Sequence, residues 1–222
     1  PKNMVIAVIS KDEGEEVCKL VKKYFADFKG EEVPLSEEKY EGMTFGKFID
    51  EREGINSSRV QINFPINELS DKELKAFRIF NEYFGEGVNS LLFDKLRTKS
   101  GLVYDVLTSI NYESYLKTYK IMFNTAKDKA EAALEEVNKA IDEIEILNGG
   151  KIKELAKNIK IKKLFKEEQS IRHTNFLAAY GIMFKDSKAY EKAYENLGEI
   201  DGEFIFKTAK KVLKNYSIEI IK

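Results

Sequence analysis

Between Arg59 and Ile66, the apolar residues Val60, Ile62, Phe64 and Ile66 alternate with Gln61 and Asn63, the two-residue period of a strand with one buried face. Just beyond it, Ser70 and Glu73 have the spacing of a capping box, opening a helix that buries Leu74, Phe77, Phe80 and Phe84. A strand with one apolar face, followed at once by a helix with an apolar stripe, has few ways to hide both. The helix must cover the sheet, which sets a layered architecture.

The remaining text extends that plan. Phe45 to Asp50 is extended, and a turn around Gly54 and Asn56 separates it from the alternating strand. Gly85 and Gly87 interrupt the first helix; a second starts near Asn89 or Ser90, runs through Leu92, Phe93 and Leu96 to Arg97, and stops before Gly101. Leu102 to Asn111 and Tyr115 to Thr125 predict an antiparallel hairpin, with Tyr104, Val106 and Ile110 on one face. Asp128 and Glu131 form another capping box, for a helix whose stripe Leu134, Val137, Ile141 and Ile144 ends at Gly149 and Gly150. Lys151 to Phe184, Ser187 to Leu197 and Asp201 to Leu213 read as helical, and Tyr216 to Ile221 as a closing strand. The expected fold class is α+β: an antiparallel sheet layer covered by helices, not a doubly wound parallel sheet.

Upstream, Met4 to Ile9 reads as an apolar strand, and Asp12 caps a helix carrying Val17, Leu20, Val21 and Phe25, with Gly30 beyond its end. Residues 31–44, polar and holding Pro34 and Ser36, read as a linker. The expected organisation is a strand-helix unit over 1–30, the linker, and a main domain over 45–222. Pro1 is not an initiator, and a strand beginning at Met4 reads as the interior of a longer protein. Lys2-Asn3-x-x-Ile6-x-x-Ile9 recurs as Lys214-Asn215-x-x-Ile218-x-x-Ile221, which fits two similar halves that each close with the same strand.

Composition removes several functions. With 37 basic and 38 acidic residues the net charge is -1, which disfavours a nucleic-acid partner. One Cys and one His exclude an internal disulfide framework, a zinc finger and a two-histidine catalytic metal site within the chain. No apolar run approaches the roughly 20 residues of a membrane span, and the first residues lack the regions of a signal peptide, so no membrane partner and a cytoplasmic location are expected. Self-association into a homo-oligomer is left open.

Five local features have a functional and a structural reading. The loop Gly85-Glu86-Gly87-Val88-Asn89-Ser90 could cradle a phosphate, but it follows a helix, lacks a third glycine and carries an acid, so a helix-breaking turn fits better. The lysines of Lys151 to Lys166 fit a solvated helix face better than a membrane or nucleic-acid surface. His173 reads as structural or surface, and Cys18, among Val17, Leu20 and Val21, as a small buried thiol. Arg97 and Tyr104 bracket Ser100-Gly101, where a helix hands over to a strand. That junction can present a guanidinium and a phenol to one cleft, to bind a peptide carbonyl or an oxyanion; equally, both residue types are ordinary at such positions.

The stretch from Phe84 to Tyr104 adds a resemblance. Its glycine break, Ser90-x-Leu92-Phe93 and Arg97-x-x-x-Gly101-Leu102-x-Tyr104 resemble the signature of the C-terminal homologous domain of pitrilysin/insulinase-type zinc metallopeptidases, which include the mitochondrial processing peptidase. It departs from that signature at Leu91, Thr98 and Val103, where the family often has Arg, Glu and Ala. The resemblance implies that 1–30 is the last strand and helix of a preceding homologous domain. It also implies a clamshell parent whose N-terminal domain carries the zinc motif H-x-x-E-H, absent from this chain. By the same resemblance the chain is not catalytic by itself and holds no cofactor or metal; zinc belongs to the parent. The resemblance further implies that Arg97 and Tyr104 contact the peptide substrate, completing the cleft opposite the zinc-bearing N-terminal domain, the chain's expected partner. The alternative is a non-catalytic paralogue acting as a structural or partner subunit.

Overall fold

The computed structural model describes residues 4–28, 30, 39–113 and 115–222. In chain order the elements begin with α1 (Gly14–Phe25), β1 (Gly46–Asp50), β2 (Ser58–Pro65), α2 (Asp71–Phe84) and α3 (Leu91–Phe93), which continues as a π-helical segment Asp94–Lys99. There follow β3 (Val103–Tyr112), β4 (Lys117–Thr125), α4 (Ala130–Asp142), α5 (Gly149–Glu167), α6 (Ser170–Phe184), α7 (Ala189–Lys192), α8 (Gly202–Val212) and β5 (Ser217–Ile221). They form two compact units: Pro1–Lys39 with Lys160–Glu195, and Tyr40–Ile159 with Asn196–Lys222. Among the described residues no helix is long and apolar enough to cross a membrane.

The larger unit holds one five-stranded sheet in the order β1-β5-β2-β4-β3. Pairing is antiparallel except at one edge, where β1 runs parallel to β5. The alternation read in the sequence becomes a continuous apolar face: Val60 pairs with Phe123 and Ile220, Ile62 with Ile121 and Ile218, and Phe64 with Tyr119. Helices lie over it. Phe77 of α2 meets the Tyr119 ring edge-on at 4.9 Å, and α2 packs against α8, which buries Ile205, Ala209 and Val212. The Ser70–Glu73 capping box forms as expected and fixes where α2 starts. Each fully buried Phe, Ile or Leu contributes about 1.5–3 kcal/mol, so this interface dominates the unit's stability.

Several local expectations are corrected. The Asp128–Glu131 box does not form: a 3-10 turn at Lys127–Lys129 precedes α4, and the Glu131 carboxylate pairs with Lys47 instead. The stripe itself is right, with Leu134, Val137 and Ile144 buried, but α4 ends at Asp142. Gly149 and Gly150 open α5 rather than close its predecessor, because the Asn148 carboxamide oxygen accepts the Lys151 amide at 2.9 Å. The helical run from Lys151 breaks after Glu167, and of Ser187 to Leu197 only α7 is α-helical.

In the smaller unit, α1 starts at Gly14 without a side-chain cap. The residue at the cap position is Glu13, and the Asp12 carboxylate accepts the Ser10 hydroxyl at 2.7 Å instead. Met4 to Ile9 is not a strand: a strand exists only by pairing, and among the described residues all five strands pair elsewhere. Cys18 is exposed rather than buried, since α1 buries no residue. Residues 31–38 of the expected linker lie outside the described residues.

Candidate functional site

The junction holding Arg97 is anchored from below. Leu92 and Leu96 are fully buried, and Ser90, itself buried, accepts the Phe93 amide at 3.3 Å to start α3. With that face in the core, Phe93 and Arg97 fall together on another face, four residues apart. The helix then widens to the π form. The Ser100 amide reaches back to the Lys95 carbonyl at 3.2 Å, while the Ser100 hydroxyl donates to the same oxygen at 2.6 Å. Gly101, at φ +57°, turns the chain into β3 in a conformation that costs a side-chain-bearing residue about 1 kcal/mol or more.

Tyr104 reaches the site through a β-bulge. From Val103 to Val106, β3 advances three residues while β4 advances two, from Thr125 to Phe123. Val103 and Val106 therefore both point into the core, and Tyr104 is turned outward with 81% of its surface exposed. This corrects the expectation that Tyr104 shares a face with Val106.

The Arg97 guanidinium carbon lies 4.8 Å from the Tyr104 ring centroid and 5.0 Å from that of Phe93. The structure thus brings together the two residues read from the sequence and adds Phe93, whose signal was its helical spacing from Arg97 within Ser90-x-Leu92-Phe93. The other cations of the π segment are paired, Lys95 with Glu143 at 2.5 Å and Lys99 with Asp94 at 2.7 Å. The Asp94 contact pushes the Lys99 ammonium above its usual range. Chemically, this is a donor site: guanidinium N–H groups and a phenol, with no nucleophile and base pair beside them among the described residues.

His173 sits half-buried in α6, and the Gly85–Ser90 loop is a tight turn whose Gly85 and Glu86 amides both donate to the Asn81 carbonyl at 2.9 Å. The outer face of the sheet carries a concavity of about 460 Å³ lined by Phe48, Gln61, Asn63, Lys120 and Glu219 among others. Its amides are engaged with each other: Gln61 donates to Asn63 at 2.8 Å, and Asn63 to Glu219 at 3.1 Å. Among the described residues, no three His, Cys, Asp or Glu side chains cluster to hold a metal, so the residues present do not fit a zinc centre.

The structure is an α+β domain: a five-stranded sheet covered by helices, with an exposed Arg97–Tyr104 pair and, among the described residues, no metal-ligand cluster. The chain belongs to the family described as the peptidase M16 inactive domain, whose sequence model matches residues 1–150. Among solved structures, 95% of the chain superposes on 53% of a protease from Helicobacter pylori (TM-score 0.79, 16% identity). It likewise covers 51% of a peptidase M16 inactive domain chain from Pseudomonas fluorescens (TM-score 0.77, 13% identity) and 52% of a chain in complex III2 from Candida albicans (TM-score 0.76, 12% identity), with 95% of this chain included each time. The chain spans about half the length of these structures. No curated protein sequence matches it.

Proposed function

We propose that this chain is the metal-free part of a zinc-dependent peptidase, and that Arg97 and Tyr104 bind peptide substrate in the cleft opposite a zinc-bearing N-terminal domain of the same parent. The observation that carries this reading is the Arg97–Tyr104 pair: exposed, stacked at 4.8 Å, and built by a π-helical segment and a β-bulge, two devices that re-aim side chains at functional sites. The guanidinium donates to peptide carbonyls and holds the chain in place. The phenol donates to an oxygen as negative charge develops on it. All bond-breaking chemistry belongs to the zinc-bearing domain.

The smaller unit supports the same reading. Met4, Ile6 and Val8 are 42%, 41% and 50% exposed in a segment that pairs with no strand among the described residues. An apolar segment of this kind fits the closing strand of a preceding homologous domain. A second reading, a non-catalytic structural or partner subunit, draws on the likeness to a chain of complex III2.

The test is to express the parent with its upstream sequence, measure zinc after dialysis, and follow hydrolysis of an unstructured peptide. Stoichiometric zinc in the parent with chelator-sensitive cleavage supports the peptidase reading; a parent without either supports the subunit. The 222-residue chain alone should neither retain zinc nor cleave, and a chain that does both contradicts the proposal.

A further inference from the structure

Resting on the peptide-binding reading, we propose that Arg97 takes a carboxylate of the bound peptide, an acidic side chain or the C-terminal carboxylate, rather than only a neutral carbonyl. Arg97 is exposed and makes no ion pair among the described residues, although both lysines of the same π segment do. What holds it is two ring faces, Phe93 and Tyr104, and ring faces attract the cation without using its N–H donors. Arg52 shows the contrast: its guanidinium donates to Asp50 at 2.7 Å and is neutralised within the chain.

The nearby acids in sequence are already committed. Asp94 pairs with Lys99, and Asp105 accepts the Val106 amide at 2.9 Å. A pre-positioned guanidinium with a free planar fork matches a carboxylate through two parallel hydrogen bonds, which a single carbonyl oxygen cannot supply. The aromatic neighbours also reduce the rotamer freedom lost on binding, so the fork is preorganised for a planar anion.

The experiment uses the 222-residue chain and three short N-acetylated peptides of one sequence: central Gln with an amidated C-terminus, central Glu with an amidated C-terminus, and central Gln with a free C-terminal carboxylate. Binding is titrated by NMR at low ionic strength, following the Arg97 Nε–H and the Tyr104 and Phe93 ring signals. At least one carboxylate peptide should bind about tenfold more tightly than the neutral one, and the arm that does so identifies the source of the carboxylate. Arg97→Gln should erase that preference while leaving the amide spectrum of the core unchanged, because the side chain is exposed. Equal binding of all three peptides at these signals overturns the carboxylate inference while peptide binding stands. A preference that survives Arg97→Gln also overturns it. If no peptide moves these signals, the peptide-binding reading fails and takes the inference with it.

Discussion

The Arg97 guanidinium stands 4.8 Å above the Tyr104 ring, although one residue belongs to a π-helical segment and the other to a bulged strand. Both side chains are exposed, so the contact orients the pair more than it stabilises the fold. Arg97→Ala, Tyr104→Ala and the double variant, compared by urea denaturation, should give a coupling energy of about 0.5–1 kcal/mol and similarly small single effects. Losses above about 3 kcal/mol in either single variant would make the pair structural.

Two glycines should differ sharply in their tolerance of a methyl group. A Cβ at Gly202 would sit 2.0 Å from the Leu147 carbonyl oxygen, a backbone atom that cannot swing away, whereas at Gly85 it would meet the Thr108 methyl at 2.3 Å. Gly202→Ala is therefore expected to destabilise more than Gly85→Ala, each by at least about 1–3 kcal/mol. Thr108→Ala should recover part of the Gly85→Ala loss and none of the Gly202→Ala loss, as read from thermal midpoints.

Tyr119 is wholly buried beneath α2, and its hydroxyl makes no well-formed hydrogen bond among the described residues, its nearest polar neighbour being the Thr108 hydroxyl, itself without a well-formed bond. Burial pushes this phenol well above its usual range. Because the ring carries the packing and the hydroxyl is left unsatisfied, Tyr119→Phe should leave stability unchanged or raise it by about 1 kcal/mol. A clear loss in chemical denaturation would show that the hydroxyl is satisfied in solution.

Glu73 links the α2 capping box to α8. The Lys211 ammonium, donating at 2.8 Å, and then the Ser70 amide hold its carboxyl down at about 2. With the folded value below the unfolded one, its contribution is complete above the unfolded pKa and disappears as pH falls toward the folded one. Between about pH 5 and pH 2, the thermal midpoint of Glu73→Gln should therefore fall less steeply than that of the parent sequence. Parallel slopes would remove Glu73 from the acid sensitivity.

What the sequence disclosed follows the range of the forces involved. The Val60–Ile66 alternation and the Ser70–Glu73 box are local patterns and stand in the structure as read. The β3 bulge was not legible, because register is decided by the partner strand, and it alone turns Tyr104 outward. Met4 to Ile9 has strand composition but no described partner to pair with, which composition cannot show. Asn148 is masked in the sequence by the Gly149-Gly150 pair, which has the composition of a helix terminator although the Asn148 carboxamide oxygen accepts the Lys151 amide. The spacing of Arg97 and Tyr104 marked a junction, while Phe93 beneath Arg97 needed the helix face to be known.

The proposed peptide contacts of Arg97 and Tyr104 are read by steady-state cleavage of one peptide by the intact parent carrying Tyr104→Phe or Arg97→Ala. Tyr104→Phe should lower kcat by roughly ten- to a thousandfold through the lost donor, and Arg97→Ala should lower kcat/KM mainly through poorer positioning, with thermal midpoints near the parent's. Parental kcat/KM in both variants, or loss only where the protein has unfolded, would make the pair structural and remove it from substrate binding.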